Sequence, residues 1–265
     1  MIEFTPDTRD LSKCWGDLSK FIYEKVKNSG VDFASSINIS QIIRAVTVSR
    51  EIMARVGNEP LRILDVGCST ATMYGFLKEN YLRNANKNLK YHGLEVYTRL
   101  IDKANKDFGK DSSFQISKFD GNLESIEKFG EQDVVLMQQF IEHIAYDCAL
   151  QQIAAASKVL KSDGLFVLSS PNPDKKNGKQ FVYPDHHEYE FAYEEIEQIL
   201  QKNDFEIINT FGWIGYGDLN YSALSDIEKD VFDALSFISK SFAEAITAHL
   251  NKDFSSYYLV IAKKK

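Results

Sequence analysis

A chain of 265 residues with 44% hydrophobic and 26% charged side chains has the makeup of an ordinary globular protein, with room for one large α/β domain and a helical appendage. Its 38 acidic residues against 31 basic ones leave a formal charge of -7, which argues against a dedicated nucleic-acid binder because a phosphate backbone repels net negative charge. The three cysteines lack metal-ligand spacing, no apolar run reaches bilayer length, and acidic residues break up the first thirty positions, so a reduced, cytoplasmic, membrane-free protein is expected.

The first sixty residues read as helical. Ile39, Ile42, Ile43, Val46, Ile52, Met53 and Val56 recur at helical spacing, and Gly57, Asn58 and Pro60 end the run. From Leu61 short apolar runs alternate with helical stretches. Strands are expected at 61–66, 90–96, 112–119, 133–138, 164–170 and 205–211, with a last one at 255–264. Helices are expected after the first two, over 147–160 and around Tyr193 to Leu200. Such alternation implies crossover connections and a parallel sheet with helices on both faces. One long helical segment is expected from Ser225 to Leu250, burying Ile227, Val231, Leu235, Ile238, Phe242, Ile246 and Leu250. The expected organisation is an N-terminal helical cap over 1–59 and an α/β domain over 60–265 with a helical insertion at about 212–252.

In open parallel sheets, ligands bind beyond the carboxyl ends of the strands, where strand order reverses. The first strand ends there in Asp65-Val66-Gly67-Cys68-Ser69, a turn that lets backbone approach a ligand closely. The second ends in Glu95, an acceptor suited to ribose hydroxyls. A turn of this kind also serves nicotinamide dehydrogenases, although those keep a second glycine where Ser69 stands. A non-catalytic cofactor module would lack the polar cluster described next.

Glu142 and His143 directly follow the fourth strand. A second polar group, Asp185-His186-His187-Glu188-Tyr189-Glu190, follows the loop after the fifth strand, which carries Pro171, Pro173, Gly178 and Pro184. Both segments belong at the same sheet edge. Carboxylates and imidazoles together suit a divalent ion or a general base acting on a hydroxyl.

The blocks ILDVGC, HGLEV, FDGN, DVVLMQQFIEHI and LKSDGLFVLSSPNP resemble, in order, the motifs of class I S-adenosylmethionine-dependent methyltransferases over about residues 61–211. The resemblance implies that family's fold, a doubly wound, mostly parallel seven-stranded Rossmann-like α/β sheet with its last strand antiparallel, although Ser69 and Ala71 stand where that family has glycines. The resemblance implies that Asp65, Gly67, Cys68 and Ser69 border the methionine part of the cofactor and that Glu95 holds the ribose. It implies that Asp120, Gly121 and Asn122 lie near the adenine, with Gln138 and Gln139 on the reacting side. Around Glu142-His143 the chain is similar to quinone-biosynthesis O-methyltransferases and to methyltransferases of the terminal ribose of small RNAs. By the second likeness Glu142, His143 and His187 would hold Mg or Mn with His186 behind them, and Gln139 would replace one glutamate. The expected activity is O-methylation of a small hydroxylated metabolite (a sugar, nucleotide-sugar or phosphorylated molecule). RNA 3′-terminal ribose 2′-O-methylation is the alternative.

Overall fold

The computed structural model describes residues 36–54, 60–78, 89–122, 124–173, 187–214, 221–237 and 239–265. Helix α1 (Ser36–Ala54) precedes strand β1 (Leu61–Val66), α2 (Thr72–Leu77), β2 (Leu89–Glu95), α3 (Thr98–Phe108), β3 (Phe114–Lys118), α4 (Glu124–Glu127) and β4 (Gln132–Gln138). There follow α5 (Tyr146–Val159), β5 (Leu160–Pro171), α6 (Tyr193–Lys202), β6 (Phe205–Trp213), α7 (Asp226–Ser236), α8 (Lys240–Leu250) and β7 (Tyr257–Lys264).

The strands form one seven-stranded sheet in the order β3-β2-β1-β4-β5-β7-β6. All pairings among β1 to β5 are parallel, and β7 inserts antiparallel between β5 and β6. Strand order reverses between β1 and β4, which places the crevice of a doubly wound sheet at the ends of those two strands.

Period-two alternation divides the core between the two faces. Leu64, Val66, Val135, Met137, Phe166, Leu168, Tyr258 and Val260 point one way, into a cluster with Ala149, Ile153 and Ala156 of α5 and Ile196 and Leu200 of α6. Ile63, Val134, Leu136, Leu165, Val167, Leu259 and Ile261 point the other way, against Val48 and Ile52 of α1, Tyr74 and Leu77 of α2 and Ala104 of α3. Helix α1 is tied across the chain by Thr47 Oγ1 and His249 Nε2 at 3.1 Å, and by Ser40 Oγ, which accepts from the Ile214 amide at 2.8 Å.

The segment expected as one helix from Ser225 to Leu250 is two. Ser225 caps α7 with a reciprocal Ser–Glu228 capping box, and Ser239 starts α8 by accepting from the Phe242 amide at 3.3 Å. The expected single apolar face does not form, because each helix buries a different set: Phe232 in α7, and Ala243, Ala245 and Ala248 in α8. Ile227 is 77%, Val231 43% and Leu250 72% exposed, while Phe232 is buried instead. Ile238 lies outside the described residues, as do residues 1–35 and 55–59 of the expected N-terminal cap, Val56, Gly57 and Asn58 among them. Strand β5 begins at Leu160, earlier than expected, because Leu160 already pairs with Gln132 before an excursion through Asp163, at φ +64°.

Candidate active site

The loop after β1 folds back on β2. The amides of Gly67 and Cys68 both donate to the Leu94 carbonyl, at 2.8 and 3.1 Å. Gly67 sits at φ +73°, and a Cβ there would stand 2.6 Å from the Phe140 ring. Glycine is therefore required twice over, by backbone sign and by space. Ser69 and Ala71 hold left-handed conformations at φ +53° and +55°. These are the two positions at which the related motifs carry glycine, so the loop keeps its shape at the cost of backbone strain.

Glu95 organises this loop. One carboxylate oxygen accepts the Ser69 amide at 2.8 Å, and the other accepts the Val96 and Tyr97 amides at 2.9 and 3.0 Å. A lone pair remains on the oxygen that takes the Ser69 amide, so this buried, fixed carboxylate can still receive a hydroxyl donor. Asp65 accepts the Tyr91 hydroxyl at 2.5 Å, and burial pushes its carboxyl up to about 7. The buried Cys68 thiol is pushed up as well, first by burial, which makes it an inert wall.

A cavity of about 510 Å³ opens beyond these strand ends. Asp65, Gly67, Cys68 and Ser69 line it from the loop, Gln138 and Gln139 from the end of β4, and Gln41, Ile42, Arg44 and Ala45 from α1. Arg44 was not anticipated. Its guanidinium lies 4.5 Å from the Trp213 ring centroid, burial lowers its pKa to about 10, and its Nε and Nη1 are buried without hydrogen-bond partners. Asp65 and Arg44 thus set opposite charges around one cavity.

Asp120, Gly121 and Asn122 lie apart from this wall, in an exposed turn. The Asp120 carboxylate is occupied by the Ser125 hydroxyl at 2.5 Å and the Asn122 amide at 3.0 Å, and the Ser125 bond in particular holds its pKa below the usual range. The turn still adjoins the cofactor loop, since the neighbouring Phe119 amide donates to the Glu95 carbonyl at 2.9 Å.

At the exit of β4, Gln139 adopts φ +55° and its amide donates to the Ser169 carbonyl at 2.9 Å. A 3-10 turn, Ile141–His143, follows. The amides of Glu188 and Tyr189 both donate to the Glu142 carbonyl, at 2.8 and 3.4 Å, which clips the second polar segment against the first. Glu142, His143 and His187 consequently converge, each offering a ligand atom within 4.8 Å of the others. Glu142 is fully buried, one oxygen accepting the Ser170 hydroxyl at 3.3 Å and the other, Oε1, having no hydrogen-bond partner. Burial lifts its pKa to about 8. An orphaned buried carboxylate oxygen beside two imidazoles fits a cation. His186 lies outside the described residues.

Trp213 is buried and stacked on Tyr257, so it supports Arg44. Tyr221 bonds Asp233 on the surface.

The sheet order, the glycine turn and the carboxylate closing β2 define the class I S-adenosylmethionine-dependent methyltransferase fold. Residues 64–166 match a family described as a methyltransferase domain. The structure is similar to a SAM dependent methyltransferase from Archaeoglobus fulgidus, with a TM-score of 0.53 and 17% identity over 83% of this chain and 94% of that one. It is similar to magnesium protoporphyrin IX methyltransferase from Synechocystis PCC 6803 with bound SAH, at a TM-score of 0.55 and 14% identity over 98% of this chain and 100% of that one. It also resembles the methyltransferase domain of a bacterial Hen1, at a TM-score of 0.54 and 13% identity, covering 86% of this chain and 98% of that domain. No curated protein matches the sequence. Residues 64–166 thus carry a methyltransferase domain, set in the fold of the S-adenosylmethionine-dependent methyltransferases. Among the described residues no helix is long and apolar enough to cross a membrane.

Proposed function

We propose that the chain O-methylates a small hydroxylated metabolite with the help of a divalent ion, Mg or Mn, held by Glu142, His143 and His187. The observation that carries this reading is the convergence of those three residues around an unpartnered buried oxygen of Glu142. Glu142 and His143 stand one turn beyond Gln138 and Gln139, which line the cavity.

The cofactor's sulfonium supplies an activated methyl group, so the chain's task is to align an acceptor and remove its proton. Arg44 and Asp65 suit the carboxylate and ammonium of the cofactor's amino-acid end, because each offers a desolvated charge of the required sign to one cavity. Glu95 suits the ribose hydroxyls, and the turn at 120–122 is assigned to the adenine. A divalent ion would lower the pKa of a bound hydroxyl, with Glu142 and the two imidazoles as its holders.

The acceptor side carries a second aromatic pair. Tyr146 and Tyr189 meet edge to face with ring centroids 4.9 Å apart, in the same two segments as His143 and His187, whose rings are 5.0 Å apart. Both tyrosines are more than a third exposed, and the Tyr189 hydroxyl is fixed by Glu195 at 3.0 Å. A rigid, exposed aromatic edge next to the cluster suits a ring-bearing acceptor. Acceptor contacts are assigned to the segments 1–56 and 212–252, of which 1–35, 55–56, 215–220 and 238 lie outside the described residues. Methylation of an RNA-terminal ribose is the second reading, favoured by the likeness to Hen1 and opposed by the negative charge.

Transfer of labelled methyl groups to a panel of sugars, nucleotide-sugars and an RNA oligonucleotide, with and without EDTA, tests both readings. Small-molecule acceptors methylated only when Mg2+ or Mn2+ is present support the proposal. Chelator-insensitive turnover with a loss of roughly 10²–10⁴-fold in His143→Ala would instead assign His143 as a general base.

A further inference from the structure

The cluster has a neighbour that neither the motif pattern nor the ligand set contains. His187 Nδ1 lies 2.7 Å from Glu190 Oε1, and both side chains are nearly buried, at 9% and 12% exposure. The two residues sit in the irregular segment just before α6, so no helix enforces this pairing. Backbone bonds from Glu188 and Tyr189 to the Glu142 carbonyl fix the main chain on one side of His187, and Glu190 fixes its ring on the other.

We propose that Glu190 is the positioning carboxylate of the candidate metal centre, holding His187 in the Nδ1–H tautomer so that Nε2 carries the lone pair for the ion. The inference rests on the metal reading above and deepens it. A neutral imidazole has one N–H, and a carboxylate only accepts, so an Nδ1–Oε1 bond puts the proton on Nδ1. Carboxylates placed behind a ligand histidine orient the ring and raise its basicity. Charge points the same way. Glu142 is the only anionic member of the three-residue cluster, which leaves a divalent ion one charge short of neutrality, and the buried Glu190 carboxylate supplies the balance without entering the coordination sphere. Glu190 is thus a positioning residue, and its replacement should be felt first in metal affinity.

The test uses the full chain and two readouts. Long-range 1H–15N NMR of histidine-labelled protein without metal at pH 8, with His187 assigned by His187→Gln, reports the tautomer directly. The wild type is expected to show Nδ1–H at His187, and Glu190→Gln to lose that preference. Calorimetric titration with Mn2+ is expected to show 10–100-fold weaker binding in Glu190→Gln, while the affinity for S-adenosylhomocysteine is unchanged. If Glu190→Gln does not fold, Glu190→Asp, whose shorter side chain withdraws from Nδ1, carries the same two measurements. Wild-type Mn2+ binding with an unaltered affinity in the variant, or an Nε2–H tautomer in the wild type, overturns the role of Glu190 alone. A wild type that binds no Mn2+ overturns the metal reading and this inference with it.

Discussion

Asp65→Asn should make the cofactor-free protein more stable and the cofactor less tightly bound. Burial raises the Asp65 pKa from 3.8 to about 7, despite the bond from Tyr91 and the nearby Arg44 charge. The folded state therefore holds this proton more tightly than the unfolded chain does. For an acid shifted upward, stability is undiminished below the unfolded value and is lost as pH rises through the window from about 4 to about 7. A shift of about three units at 1.36 kcal/mol each makes the full penalty roughly 4 kcal/mol above that window. Asparagine keeps an oxygen for the Tyr91 hydroxyl and turns its amide toward the cavity, so it escapes the penalty without losing the bond. Urea unfolding at pH 5 and pH 8 measures the difference. The variant should gain roughly 2–4 kcal/mol over the wild type at pH 8 and under half of that at pH 5. Titration calorimetry should show weaker S-adenosylhomocysteine binding, through loss of the ammonium's counter-charge. A gain that does not change with pH, or no gain at pH 8, would refute the idea that a desolvated carboxylate is kept here for the ligand.

Gly67→Ala adds a left-handed alanine and a contact 2.6 Å from Phe140, so denaturant unfolding should reveal a loss of about 2–4 kcal/mol together with weakened cofactor binding. Ser69→Gly should act in the opposite direction. Relief of about 1–2 kcal/mol of left-handed strain exceeds the roughly 0.5–1 kcal/mol of added chain entropy, so the urea midpoint should rise slightly.

The strands were legible because their apolar runs are short, bounded by turn residues, and buried on both faces. Leu61–Val66 reads the same in the sequence as in the structure. The loop was legible through Gly67, although the positive φ of Ser69 and Ala71 was not, since neither residue type advertises it. The Ser225–Leu250 segment misled because its apolar residues continue at a four-residue step across the break at Ser239. The capping signals Ser225-x-x-Glu228 and Ser239 were present and outweighed that step. Arg44 escaped notice because a lone basic residue on an amphipathic helix reads as solvent-facing. Its partner Trp213 lies on a strand 169 positions further along, and only tertiary packing brings the two together. The His187-x-x-Glu190 spacing was visible, but nothing in a coil segment announces that the two side chains touch.

Because α1 supplies one wall of the cavity and the core sheet the other, any ligand that fills the space bridges two separately anchored parts of the chain. Occupancy and the docking of α1 are then linked quantities. By reciprocity, whatever free energy the ligand adds to holding the helix down, the docked helix returns as affinity. A tenfold change in one demands about 1.4 kcal/mol in the other. Contacts far from the chemistry, such as Thr47 with His249 or Ser40 with Ile214, therefore help set how long the cofactor and its demethylated product stay bound.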